Sequence, residues 1–390
     1  MLNTPFSPWP SFTQEEADTV SRVLLSNKVN YWTGSECRSF EKEFATWVGG
    51  EYAIALSNGT LALDIALKAL DVGEGDEVIT TPRTFLASAS SIVTSGASPI
   101  FADVEPNSQV ITAESIQAVL TPKTKAIVVV HLAGMPVEMD TIMALSEQHG
   151  FYVIEDCAQA HGAKYKGQSV GSIGHIGAWS FCQDKIMTTG GEGGMVTTND
   201  RELWLKMWSY KDHGKSWEAV YEREHAPGFR WLHDSFGTNW RMTEMQAAIG
   251  RIQLTRMPEW HKRRWDNANT IWECAKQLDG LRVPGIPDYI EHAAYKCYVF
   301  VEPEQLKPGW SRDKVMYEIN QLGVPCYSGS CSEVYLEKAF DNTGWRPEIR
   351  LPVAKELGET SLMFLVHPTL TEEEVSKTCE VLKAVMGLAV

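Results

Sequence analysis

From Tyr52 to Ile154 one pattern repeats: a short apolar run, a helical stretch, another apolar run. Tyr52–Leu56, Glu77–Thr80, Pro99–Phe101, Ala126–Val130 and Phe151–Ile154 read as buried strands. Thr60–Leu70, a stretch from about Phe85, Ala113–Leu120 and Met139–His149 read as the helices between them. Strands covered on both faces need near-continuous apolar runs, and parallel neighbours need helical crossovers. The pattern therefore predicts an α/β fold, with a mixed, mostly parallel sheet flanked by helices. Gly177–Phe181 and Met195–Thr198 add two further strands on either side of a glycine-rich stretch.

The flanks differ. Thr13-Gln-Glu-Glu16 is a capping box that predicts a helix through about Leu25. A second amphipathic helix is expected around Ser39–Val48. After Arg241 the chain turns long-helical, with Thr243 capping a helix towards Leu254 and a second helix across about Glu259–Leu278. Pro284, Gly285 and Pro287 mark a boundary. Beyond it Cys297–Val301 reads as a strand, and Arg312–Leu322 and Glu372–Met386 as helices, the last opened by the capping box Thr371-Glu-Glu-Glu374. This predicts a smaller C-terminal α+β domain. The expected division is 1–255 for the large domain and 256–390 for the small one.

At 390 residues and 44% hydrophobic content, two domains with a substantial core are within reach. A net charge of −15 argues against nucleic acid as a partner. It leaves room for an anionic small ligand held by local amides and cations. The eight cysteines are scattered, with no C-x-x-C pair, which suits reduced thiols and predicts no metal site. No basic region precedes an apolar run at the N-terminus, and no apolar stretch approaches the roughly 20 residues of a membrane span. The expectation is a cytoplasmic chain with no membrane partner.

Three segments carry chemistry. Ser57-Asn58-Gly59-Thr60 lies between a strand and a buried helix, where open N–H groups and the helix dipole suit a phosphate. Gly59 permits close approach and Thr60 adds a hydroxyl, although an ordinary helix cap would read the same way. Asp156, just past an apolar strand, is placed where open parallel sheets bind ligands. Its carboxylate suits a protonated ring nitrogen, and Gln159 a phenolic oxygen on the same ring; capping of the next segment is the alternative. Ser180-Phe-Cys-Gln-Asp184-Lys185 puts a lysine after a buried strand and ahead of Gly190-Gly-Glu-Gly-Gly194. A buried amine there favours imine chemistry, and Ser180 suits the phosphate. Alone, a surface lysine is the simpler reading. In this order on successive strand ends, the three segments form the parts list for pyridoxal phosphate.

With these motifs, and with Thr84-Phe85, Ala158-Gln159-Ala160-His161-Gly162 and Asn239-Trp-Arg241-Met242, the chain resembles the DegT/DnrJ/EryC1/StrS sugar aminotransferases, within the fold-type I, aspartate-aminotransferase-like group. The likeness runs from about Asn30 to the last helix. It implies that Lys185 holds the cofactor as an imine and shuttles the proton. It further implies that Asp156 pairs with the ring nitrogen, Gln159 with the phenolic oxygen, and Gly59, Thr60 and Ser180 with the phosphate. Phe85 would stack on the ring, and Asn239 would reach the phosphate in the partner subunit, making the working unit at least a homodimer. Trp32, His161 and Tyr327 are the candidates facing the substrate. The implied reaction moves an amino group from an amino acid, usually L-glutamate, to a keto-sugar, usually nucleotide-linked, with the cofactor cycling through pyridoxamine phosphate. Such enzymes serve amino-sugar and cell-surface polysaccharide biosynthesis. Where many relatives carry a His-Tyr pair, this chain has Gly323-Val-Pro-Cys326-Tyr327, without the histidine.

Two other readings are weighed. A pyridoxamine-dependent sugar dehydratase of this kind typically replaces the imine lysine with histidine, whereas Lys185 is present. A non-catalytic protein on the same fold would be expected to lose Lys185 or Asp156, and both remain.

Overall fold

The computed structural model describes residues 5–390. The first strands are β1 (Tyr52–Leu56), β2 (Glu77–Thr80), β3 (Ser98–Phe101), β4 (Thr124–Val130) and β5 (Tyr152–Asp156). A short ribbon, β6 (Lys164–Tyr165) and β7 (Gln168–Ser169), precedes β8 (Ile176–Ser180) and β9 (Gly194–Thr198). Seven of these form one sheet in the order β1-β9-β8-β5-β4-β2-β3. Only β9 runs against the rest, pairing antiparallel with both β1 and β8. The chain returns into β9 through Gly190 and Gly191, whose φ values of 87° and 121° favour glycine.

Period-two alternation divides the sheet's side chains between two cores. Val78, Ala126, Val128 and Ile154 face the Gly59–Ala69 and Arg201–Lys211 helices. Ile79, Ile127, Val129 and Val153 face the Met139–His149 helix and the aromatic residues Tyr298 and Phe300. Each strand is thus covered on both sides, as its apolar run requires.

The C-terminal part adds β10 (Leu281–Arg282), β11 (Ile290–Glu291), β12 (Cys297–Val301), β13 (Cys326–Tyr327) and β14 (Ser361–Phe364). Four of them make an antiparallel sheet, β10-β12-β14-β13, packed beneath the Arg312–Gln321 and Glu372–Ala389 helices. The fifth, β11, joins the β6–β7 ribbon.

Three local expectations shift. The two helices expected after Arg241 are one, Glu244–Ala275, with Pro258 inside it. An internal proline forfeits one hydrogen bond and costs about 3 kcal/mol. Packing offsets that: the helix lies against Gln14–Leu25 and Glu36–Val48, and also against Glu372–Ala389 and β12. The division expected at 255/256 falls within this helix. The helix expected from Ser39 begins at Glu36, because the Glu244 carboxylate accepts the N–H groups of Glu36 at 2.5 Å and Cys37 at 3.2 Å. That cap is supplied from more than 200 residues away, so no local pattern announces it. Lastly, Asp156 ends β5 rather than following it, because it still pairs with Val130 and Ala178. Among the described residues no helix is long and apolar enough to cross a membrane. All eight cysteines are free thiols.

Candidate active site

The carboxyl ends of β1, β2, β4, β5 and β8 open onto one rim of the large sheet. At the end of β1, the Asn58 side chain caps the next helix by accepting the Leu61 N–H at 3.0 Å. The N–H groups of Gly59 and Thr60 have no preceding turn to donate to, so they remain available to an anion. Gly59 lies directly against the end of β8: a Cβ there would sit 2.5 Å from the Cβ of Ser180. Thr60 is exposed, and the Ser180 hydroxyl, nearly buried, accepts the Cys182 N–H at 3.3 Å. The groups singled out as a phosphate cradle therefore meet in space although they lie on separate strands.

Asp156 is 6% exposed. One carboxylate oxygen accepts the Ser88 hydroxyl at 2.8 Å and the other the Ala158 N–H at 3.1 Å. Ser88 in turn contacts the Thr84 hydroxyl at 2.8 Å. Burial pushes the Asp156 pKa up, against the hydrogen bonds from Ser88 and Ala158 and the charge of Lys185. A carboxylate held in place but short of positive charge suits a cationic ring nitrogen. The Gln159 carbonyl oxygen is committed to the Ala133 N–H at 2.9 Å, so its NH2 is the end left for a further acceptor. Phe85, at the mouth of the loop after β2, is 69% exposed and presents an unstacked ring.

Lys185 stands across the rim. Its side chain is 16% exposed, with the ammonium 3.4 Å from an Asp184 carboxylate oxygen and 3.5 Å from the Tyr295 hydroxyl. The Tyr295 hydroxyl donates to the same Asp184 carboxylate. The Lys185 carbonyl accepts the Trp9 indole N–H at 2.9 Å. Asp184, Tyr295, Trp9 and Ser88 were not singled out in the sequence. Thr84 and Ser88, four residues apart beside a strand end, carried a faint signal; Trp9 and Tyr295 come from remote segments and carried none.

His161 is fully buried between Trp179 and Phe181, with ring centroids 5.3 and 5.6 Å away. Among the described residues neither of its ring nitrogens has a hydrogen-bond partner. Burial, with the charges of Lys185 and Arg264, depresses its pKa to about 3, so the ring is neutral. Tyr327 lies half-exposed on β13, lining a cavity of about 540 Å³ with Asp184, Tyr295 and Arg264. Trp32 and Asn239 lie elsewhere. The Trp32 indole N–H donates to Asp212 at 2.8 Å, and Lys215 sits 4.3 Å above its ring. Asn239 is exposed and bridges to Asp212 through its backbone, while Arg241 pairs with the Asp212 carboxylate at 2.7 Å. The structure thus gathers Gly59 with Ser180 and Lys185 with Asp184 and Tyr295 on the rim, and holds Trp32 and Asn239 in a second cluster about Asp212.

One group among the described residues, His131, Glu155 and Cys157, brings possible metal ligands together. Its atoms are already committed. The Glu155 carboxylate accepts the N–H groups of Gly171, Ile173 and Gly174 as well as His131 Nε2. His131 Nδ1 accepts the Val137 N–H, which assigns the proton to Nε2 and leaves the ring no lone pair for a cation. The group is a buried strut under the rim.

A buried carboxylate short of positive charge, a sheltered amine and an open helix N-terminus tight against a neighbouring strand fit pyridoxal phosphate. Fold and site together define the class: a pyridoxal-phosphate-dependent aminotransferase. The model of the DegT/DnrJ/EryC1/StrS aminotransferase family matches residues 10–383, and the chain belongs to that family. An aminotransferase from Psychrobacter cryohalolentis has a crystal structure that matches with a TM-score of 0.97 at 68% identity, over 98% of this chain and 99% of that one. UDP-N-acetyl-3-dehydro-alpha-D-glucosamine 3-aminotransferase of Acidithiobacillus ferrooxidans is 35% identical over 93% of this chain and 92% of its own. GDP-perosamine synthase of Escherichia coli O157:H7 is 34% identical over 95% of each chain.

Proposed function

We propose that this aminotransferase passes an amino group from an amino acid, L-glutamate first among them, to a keto-sugar linked to a nucleoside diphosphate, in the cytoplasm. Two relatives named for UDP- and GDP-linked sugars support the acceptor. The observation that carries the reading is that the Lys185 charge acts on the buried Asp156 carboxylate, while Asp184 and Tyr295 stand against the Lys185 amine.

Bound at the rim, pyridoxal phosphate supplies an aldehyde for the exchanging amines and an electron-poor ring that accepts the electron pair left when a C–H proton departs. Gly59, Thr60 and Ser180 hold the phosphate. Asp156 keeps the ring nitrogen protonated, and Ser88 and the Ala158 N–H fix the angle of its carboxylate. Gln159 holds the phenolic oxygen and Phe85 covers the ring. Lys185 would anchor the cofactor, and its amine would move the proton at the substrate carbon bearing nitrogen. The Asp184 carboxylate and the Tyr295 hydroxyl steady its amine and hold it close to the rim.

The working unit is a homodimer. Phe229, Trp231 and Phe236 are 78%, 80% and 99% exposed in the stretch leading to Asn239. So much exposed apolar surface in one stretch calls for a covering partner. Trp32 belongs to that same cluster about Asp212, and His161 and Tyr327 to the Lys185 side. We read two domains, 1–255 and 256–390, that share the Glu244–Ala275 helix.

The test is amine transfer. Purified protein with L-glutamate and a panel of UDP- and GDP-linked 3-keto and 4-keto sugars should yield one aminated nucleotide sugar by mass spectrometry. Aminated product from none of the panel would refute the proposed acceptor.

A further inference from the structure

Arg264, on the long helix, is 2% exposed, yet its Nε and Nη2 have no hydrogen-bond partner among the described residues. Those two atoms form the edge of the guanidinium that grips a carboxylate side-on through two parallel N–H···O bonds. Among the described residues its surroundings supply no counter-charge. The guanidinium stands 4.9 Å from the ring centre of Trp9. His161 and His367, whose pKa values its charge helps to depress, are neutral at pH 7. Lys296, in the same cavity, is a second cation. The one carboxylate lining that cavity among the described residues, Asp184, is already shared by Lys185 and Tyr295. A buried guanidinium left in this state is costly, and buried charges are ordinarily paired.

The cavity adjoins the amine. Trp9 packs over Arg264 and donates to the Lys185 carbonyl, and Tyr295 lies against the Lys185 ammonium while lining the same space. A small anion placed there would sit beside the point where amines exchange. We infer that this cavity receives a carboxylate of the amino-acid donor, gripped side-on by Arg264. The inference rests on the aminotransfer proposed above and adds the residue that recognises the donor. Lys296 makes the same cavity favour a donor with a second carboxylate.

The test uses glutarate, which has the carboxylates of glutamate and no amine to react. Titrated calorimetrically into the wild-type holoenzyme, glutarate should bind, whereas uncharged glutaramide of the same length should not; this arm needs no variant. Arg264→Gln should weaken glutarate at least about tenfold and raise the KM for L-glutamate about 10- to 100-fold, with kcat changed less than about threefold. The KM for the keto-sugar should stay within about twofold, and Arg264→Lys, which keeps charge without the fork, should recover part of the loss. Because an unpaired buried charge is removed, Arg264→Gln should melt no lower than wild type. Equal binding of glutarate and glutaramide by wild type, or an Arg264→Gln enzyme with unchanged glutarate affinity and glutamate KM, would overturn the inference while leaving aminotransfer standing. A wild-type holoenzyme whose yellow colour no amino acid discharges would instead sink the underlying reading.

Discussion

Asp156 and Arg264 are both buried ionisable groups beside Lys185, and they are provided for in opposite ways. Asp156 has a hydroxyl and a backbone N–H on its two oxygens, and the hydroxyl is itself braced by Thr84. Arg264 has no acceptor among the described residues for either its Nε or its Nη2. Low dielectric makes every unmatched polar group expensive, so the contrast separates two tasks. A group that must hold one permanent cofactor at one angle is given fixed partners. A group that must take up and release a transient ligand is left unmatched, and the fold bears that cost between turnovers.

The comparison breaks most sharply at the residue between the two sides. Lys185→Ala should retain the cofactor without covalent attachment and lose turnover by about 10⁴-fold or more, measured by product formation alongside the visible spectrum. Full amine transfer by that variant would remove Lys185 from the proposed role.

Asp156→Asn comes next. It removes the charge that favours a protonated ring nitrogen, and kcat should fall about 10²- to 10³-fold. The apoprotein should show a second signature. Burial raises the Asp156 pKa, so above the unfolded value near 3.8 the native state retains the proton longer than the unfolded chain. Stability therefore falls as pH rises through that window. The asparagine variant should lose this fall, read from thermal melts across pH 4 to 8; an unchanged pH profile would count against the strained carboxylate.

Gly59→Ala and Ser88→Ala sharpen the fixed side. The methyl group added by Gly59→Ala would press on Ser180, a clash of the kind that costs about 1–3 kcal/mol. Melting temperature and cofactor retention in dialysis should both drop. Ser88→Ala deletes a hydrogen bond that lowers the Asp156 pKa, so that pKa should rise further, with kcat down about tenfold. If turnover is untouched, the bracing of Asp156 contributes nothing to catalysis.

The two sides also differ in how far the sequence disclosed them. Gly59, Asp156 and Ser180 sit at or just beyond apolar strand ends, so strand periodicity located them and their chemistry suggested a ligand. The site across the rim draws on residues 9, 264 and 295, brought together by packing of the N-terminal segment, the long helix and the loop ahead of β12. Separation along the chain erases any spacing by which they could be found. The same limit explains the helix that continues through Pro258, since its compensation is tertiary. Asn239 was legible only through family likeness, because its proposed ligand lies in another subunit.

His161 provides the smallest and most specific separation of the two tasks. Its ring nitrogens have no hydrogen-bond partner among the described residues, like Nε and Nη2 of Arg264, but it is neutral, and being uncharged it strains the fold little at pH 8. Its pKa of about 3 lies below the ordinary histidine value of 6.5, so as pH falls between these limits the unfolded chain takes up a proton that the native state refuses. The native state therefore loses stability on acidification, by about 2 kcal/mol at pH 5 from this one ring. His161→Phe keeps the tilted ring contacts with Trp179 and Phe181 and removes the titration. It should match wild type at pH 8 and melt above it at pH 5, with kcat reduced no more than about tenfold. A variant equally stable at both pH values but stripped of turnover would place the imidazole nitrogens on the ligand, and would move His161 to the side of the rim occupied by Arg264.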